Sequence, residues 1–333
     1  MNDTICIYGS RIIHRHLEAM KLEIDGVKAG EDLEYVHRMR VASRRMRSAL
    51  TLFSSCFNKQ RFKEISKDVR AVTRSLGEAR DTDVQLEALA KEAPKFSSRN
   101  HAPGFKRLVM RLEQKRQAQQ AKVISSMEQL EKDGVLEKIA ETTGPLAEQA
   151  GSVYLYSPGL YAKAFDGIQN RLEELYSHEK FIYDPTNVAE LHAMRISAKR
   201  LRYSLEAFEE LYGEPLKPYI SEVKKLQDVL GWIHDLDVWT EMIPVFIEEE
   251  RQRILIYFGH DRPLKRLLPG LKAFAEQRRQ LREAAYLDFL HIWIVQNEEG
   301  TWEALKKLIA TPIDLEKAVQ QGREAEPDET GAA

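Results

Sequence analysis

Four residues at helical spacing carry most of the chemistry in this sequence: His37, Arg40, Arg44 and Arg47. At about 100° per residue they fall within a sector of roughly 80°, stacked over about three turns of one helix. A guanidinium presents a planar fork that matches phosphate oxygens, lysine adds a point charge, and histidine adds a neutral donor or a pH-dependent charge. The same pattern recurs at His192, Arg195, Lys199 and Arg202. Like charges at this spacing repel by a few tenths of a kcal/mol per pair. Yet no acid occurs between Glu34 and Arg47 or between Glu190 and Arg202. One such stripe reads as a solvated basic face, or as arginines paired with acids of a neighbouring helix. Two at matching positions read as a binding surface for a linear polyanion.

The stripes belong to an internal repeat. Val36–Phe53 aligns without a gap on Leu191–Phe208, a shift of 155. His37/His192, Met39/Met194, Arg40/Arg195, Arg45/Arg200, Arg47/Arg202, Leu50/Leu205 and Phe53/Phe208 are identical, and Arg44/Lys199 is conservative. At a shift of 154, Leu76-Gly77 matches Leu230-Gly231, and Asp81 and Asp83 match Asp235 and Asp237. Two units of about 150 residues follow, one over residues 1–157 and one over 158–319. The polar, acidic segment 320–333 is expected to be a disordered tail.

Around these motifs, apolar residues return every three or four positions over 31–57, 61–76, 105–132, 160–176, 188–212 and 217–230. Pro94, Pro103, Gly144-Pro145, Pro158-Gly159, Pro185 and Pro269-Gly270 read as breaks. No segment alternates as a strand would, so the fold class is all-α. On the stripe helix Met39, Ala42, Met46, Ala49, Leu50 and Phe53 form the core face; Met194, Leu201, Leu205 and Phe208 do so in the repeat. The two stripes then face each other across a pseudo-two-fold axis and line a basic groove. Arg45 and Arg200 flank them, and Arg11, Arg74, Arg107 and Lys224 are candidates to extend them.

The net charge is only −2, from 50 Lys and Arg against 52 Asp and Glu. A general nucleic-acid coater is usually basic overall, so the basic site here is local and offset by acids such as Glu248–Glu250. Tyr203 is the only aromatic close to the stripes, fewer than single-strand binders use, and nucleic acid is disfavoured as a partner. Cys6 and Cys56 lack metal-type spacing and read as two reduced thiols. No run approaches the ~18 apolar residues of a membrane span. A cytoplasmic protein with no membrane partner is expected.

The pattern H-x-x-R-x-x-x-[KR]-R-x-R followed by L-G-x-x-x-D-x-D resembles the CHAD family, the conserved histidine α-helical domain. His37, Arg40, Arg44, Arg45, Arg47, Leu76-Gly77, Asp81 and Asp83 carry it once; His192, Arg195, Lys199, Arg200, Arg202, Leu230-Gly231, Asp235 and Asp237 carry it again. The resemblance implies two four-helix bundles related by a pseudo-two-fold axis, with a basic surface between them. It also implies binding of inorganic polyphosphate, in some members at polyphosphate granules. A frequent companion is a CYTH domain, a β-barrel that handles triphosphates. This chain has no strand-rich segment and no E-x-E-x-K signature, so such an enzyme would be a separately encoded partner. Arg80 stands where the repeat has His234, a departure between the halves.

The rival reading is an HD-type metal-dependent phosphohydrolase, with His192, His234-Asp235 and Asp237 as ligands. The first half lacks the second histidine, and a metal beside Arg195, Lys199 and Arg202 would meet like charge. Asp81 and Asp235 read more simply as helix N-caps after a Leu-Gly break, or as acids that orient the stripe arginines. The expectation is therefore a binding protein with no catalytic residue, metal or cofactor. Histidine protonation is expected to tighten binding as pH falls through about 6.5.

Overall fold

The computed structural model describes residues 3–151 and 157–311, all of them helix, turn or loop. The first half contains α1 (Asp3–Lys21), α2 (Ile24–Ala29), α3 (Leu33–Leu52), α4 (Lys59–Glu92), α5 (Ala102–Lys132) and α6 (Val135–Ala147). The second contains α7 (Pro158–Tyr176), α8 (Val188–Ala207), α9 (Glu209–Tyr212), α10 (Lys217–Phe258), α11 (Leu264–Glu298) and α12 (Thr301–Ala310). The fold is all-α. Segment 320–333 lies outside the described residues.

Packing follows the same order in both halves. In the first, α1 packs on α3, α3 on α4 and α4 on α5, and α6 closes the set against α1 and α5. In the second, α7 packs on α8, α8 on α10 and α10 on α11, and α12 closes it against α7 and α11. Each half thus adds two short helices, α2 and α6 or α9 and α12, to four long ones. The halves meet through α3 against α8, α1 against α7 and α5 against α11.

Local sequence explains where the helices start. Asp32, Asn58 and Ser157 accept hydrogen bonds from the backbone N–H groups of Glu34, Arg61 and Leu160, which satisfies donors the helix leaves open. The core face read from the stripe helices is buried throughout, from Met39, Met46 and Phe53 to Met194, Leu201 and Phe208. Two sequence breaks vanish. Leu76-Gly77 and Leu230-Gly231 lie inside α4 and α10, so Asp81 and Asp235 cap nothing. Pro269 sits within α11, and a Cβ on Gly270 would stand 2.0 Å from the His101 carbonyl oxygen. That glycine allows α11 to lie against the start of α5.

The long helices carry two cores. The larger runs through both halves; the smaller joins the far ends of α4, α5, α10 and α11 around Phe96, Phe105, Trp239 and Phe274. A polar layer separates them. Asp83 accepts from Arg116 at 2.5 Å, and Asp237 from Arg282 at 2.9 Å, so the second acid of each L-G-x-x-x-D-x-D motif ties its helix to the next. Burial holds both carboxyls above their ordinary range despite the arginines. Removing one partner of such a buried pair costs about 3–5 kcal/mol, because the other charge is left alone.

Cys6 and Cys56 correct the expectation of two free thiols. Their Cα atoms are 5.3 Å apart and their sulfurs are bonded, fastening α1 to the turn after α3. Sequence spacing could not show this, because helix packing and not loop length brings the pair together.

Candidate functional site

The two stripe helices, α3 and α8, pack against each other between the halves. α4 runs beside α3 and α10 beside α8. Because Gly77 and Gly231 leave these helices unbroken, their next turns reach the stripe arginines. A Cβ on Gly77 would lie 3.8 Å from Arg40 Nε, and one on Gly231 3.6 Å from Arg195 Nε. Arg40 donates to Asp81 at 3.2 Å. Asp235 holds the matching place beside Arg195, and burial raises its pKa. The first acid of each motif is therefore an arginine-facing group, the second of the two readings the sequence left open.

Two cavities open at the α3–α8 crossing and share Arg40, Arg44, Lys199 and Tyr203. One, of about 620 Å³, lies toward α4 and α7 and adds Arg47, Arg70, Arg171 and Arg200. The other, of about 480 Å³, lies toward α10 and adds His37, Arg195, Arg202, Trp232 and Asp235. Together they form a groove walled by cations from both halves.

Only some of these charges are compensated. Arg40 pairs with Asp81, Arg171 and Arg200 pair with Glu174, and Arg202 pairs with Glu206. Arg44, Arg47, Arg70, Arg195 and Lys199 form no ion pair among the described residues. Burial, followed by the charges of Arg44, Arg195, Arg40 and Arg200, lowers the Lys199 pKa to about 7. The Arg47 charge is disfavoured by burial and then by Arg70, Arg44, Arg200 and Arg74. A multivalent anion would relieve this repulsion and supply the missing hydrogen-bond acceptors.

A third cavity, of about 740 Å³, flanks the same crossing but has α1 and α10 as its outer walls. The shift of 155 sets its Arg45 against Arg200, and its Glu206 against Thr51 of the 620 Å³ cavity. Glu206 accepts from Arg45 at 3.1 Å and from Arg202 of the 480 Å³ cavity at 3.2 Å, so the arginine that matches Arg200 is compensated here by an acid with no counterpart at Thr51.

The structure sorts the sequence candidates. His37, Arg40, Arg44, Arg47, Arg195, Lys199, Arg200 and Arg202 line the groove. Arg45 turns to the third cavity. Arg11 pairs with Glu210, and Arg107 joins Arg111 and Arg253 around the fully buried Glu250, well away from the groove. Arg45, Arg11 and Arg107 thus line neither groove cavity, and each has an acid that sequence distance concealed. Arg74 and Lys224 are exposed and line no groove cavity, although Arg74 adds its charge to the field at Arg47. Two lining residues escaped notice. Arg171 looks like half of an ordinary i,i+3 ion pair with Glu174, and Trp232 like a core residue of its helix.

Burial disfavours the charged form of the motif histidines. His192 Nδ1 lies 3.0 Å from His234 Nδ1. Burial, then Arg195, His192 and Lys199, lowers the His234 pKa to about 4. Burial also lowers His192, with Arg195 next, and His37, with Arg80 next. Histidine charging is thereby moved below the pH 6.5 expected from the sequence, and Lys199 is the groove cation brought to about 7. The HD-type ligand set is not assembled either. Asp237 is engaged by Arg282, and among the described residues no three or more His, Cys, Asp or Glu side chains gather as metal ligands would.

Comparison with known proteins agrees with this architecture. The CHAD domain family matches residues 11–244. A crystal structure of the CHAD domain from the plant Ricinus communis superimposes with a TM-score of 0.54 at 22% identity, covering 97% of this chain and 92% of that one. PptA from Streptomyces chartreusis superimposes with a TM-score of 0.58 at 17% identity, covering 87% of this chain and 98% of that one. No curated protein matches the sequence.

Proposed function

Because the chain belongs to the CHAD domain family, we propose that the groove at the α3–α8 crossing binds inorganic polyphosphate and does so without covalent chemistry. The observation that carries this reading is the set Arg44, Arg47, Arg70, Arg195 and Lys199, five cations from both halves that form no ion pair. A single phosphate group engages one or two of them; a linear chain of phosphates engages all. Each contacted phosphate releases counterions, so affinity falls steeply with salt. Successive contacts along one chain raise avidity through effective concentration. A separately encoded triphosphate- or polyphosphate-processing enzyme fits as a partner.

The test is calorimetric titration with long-chain polyphosphate at two salt concentrations, with RNA of equal charge as competitor. Tight, salt-sensitive binding that RNA fails to displace supports the reading. No binding, or equal displacement by RNA, overturns it. Orthophosphate released from polyphosphate on incubation with magnesium would overturn the non-catalytic part.

A further inference from the structure

The tip of the α10–α11 hairpin breaks the rules that govern the rest of the surface. α10 has 42 residues and α4 has 34, and the additional length ends in Ile256, Tyr257 and Phe258. These three consecutive apolar residues are 85%, 82% and 53% exposed. Tyr257 and Phe258 stack edge-on with ring centroids 4.7 Å apart. Gly259, in the left-handed conformation, ends the helix. Arg262, Lys265 and Arg266 follow within the next seven residues, all exposed and without an ion pair among the described residues. A helix N-terminus favours acids, yet the first turn of α11 has none, and the last turn of α10 has no base. The first half's equivalent connection is the polar run Ser97-Ser98-Arg99-Asn100, with Phe96 buried.

We propose that this tip is a peripheral docking site for an anionic lipid surface. A convex end with three apolar side chains and three free cations supplies the two signals that reversible membrane attachment requires, apolar insertion and attraction to acidic headgroups. Tyrosine and phenylalanine favour the interfacial depth such a wedge reaches. A protein partner fits less well. Even at about 150–250 Å² each, the three side chains stay below the ~800 Å² per partner of a stable interface. The sequence-based expectation of no membrane partner rested on the lack of a spanning segment, and a wedge needs none. From Asp235 to Phe258 α10 rises by up to roughly 35 Å, with the smaller core between, so the tip and the groove can be occupied together.

The test is co-sedimentation of the full chain with vesicles of phosphatidylcholine alone or mixed equally with phosphatidylglycerol. The wild type is expected to pellet with the mixed vesicles only. Ile256→Ser/Tyr257→Ser/Phe258→Ser should lower partitioning about tenfold or more, and Arg262→Gln/Lys265→Gln/Arg266→Gln should remove its salt dependence. Both variants should keep wild-type polyphosphate affinity, and Arg44→Gln/Lys199→Gln should still pellet, which separates this proposal from the groove. Tyr257→Trp should be quenched by brominated acyl chains. Failure of the wild type to pellet, equal pelleting of the serine variant, or self-association that the serine variant abolishes would overturn it.

Discussion

The 620 Å³ cavity and the 740 Å³ cavity flank one helix crossing, yet their charges are treated in opposite ways. In the first, Arg44, Arg47, Arg70 and Lys199 stand without an acid. In the second, Glu206 takes Arg45, and Glu214 takes Lys217. Among the described residues, a scaffold used in both halves thus leaves four cations uncompensated on one side and only Arg15 on the other. Basic composition alone does not mark a binding site, because many arginines here, Arg11, Arg45, Arg107 and Arg111 among them, are paired with acids. The informative residues are those left unpaired, where repulsion is retained and a ligand can relieve it.

This contrast can be broken in several ways. The largest effect is expected from the cationic cavity: Arg47→Gln/Arg70→Gln should weaken polyphosphate binding by about 100-fold, at roughly 1.5–3 kcal/mol per charge-assisted contact. Arg45→Gln/Lys217→Gln should change it by less than about threefold, the range of a screened surface charge. Similar losses in both variants, read by calorimetry, would erase the distinction. Glu206→Thr copies residue 51 into the second half and frees Arg45 and Arg202. It should raise affinity by up to about tenfold, one charge-assisted contact, or add a second equivalent of bound chain; unchanged stoichiometry and affinity would show that Glu206 is no brake.

The pH profile gives a third test. Free Lys199, with a pKa of about 7, is mostly neutral at pH 8, whereas bound phosphate favours its charged form. Binding above pH 7 therefore takes up a proton, and affinity should fall as pH rises from 6 to 8, by up to about tenfold per unit. Lys217, held above its ordinary value by a hydrogen bond to Glu214, stays charged throughout and contributes no slope. Lys199→Arg should flatten the profile; a flat wild-type profile would contradict the coupling. The smallest effect concerns the motif glycines. Ala at Gly77 or Gly231 meets only ordinary contacts and should raise stability by about 0.5–1 kcal/mol, as expected within a helix. Leu at Gly231 should displace Arg195 and weaken binding; thermal melts and titration separate the two.

Helical periodicity in the sequence was sufficient for the fold class, the core faces and the two stripes, because each depends on neighbours three or four residues away. The partnerships that periodicity could not show share the opposite property. Arg107 and Glu250 are 143 residues apart, and Arg45 and Glu206 are 161 apart. Cys6 and Cys56 meet only when α1 packs on the end of α3. Gly77 read as a breaker because a glycine costs helix propensity, yet α4 runs through it, held by packing on α3 and α5 that overrides that local cost. Trp232 was hidden for the same reason: its lining role depends on which helix passes α10.

The most direct test of the central claim is a polyphosphate titration of Arg44→Gln/Lys199→Gln, which removes one cation from each half at the residues both groove cavities share. The account predicts at least about a 100-fold loss of affinity with a shallower salt dependence and unchanged helicity. Wild-type affinity and salt slope in that folded variant would contradict it.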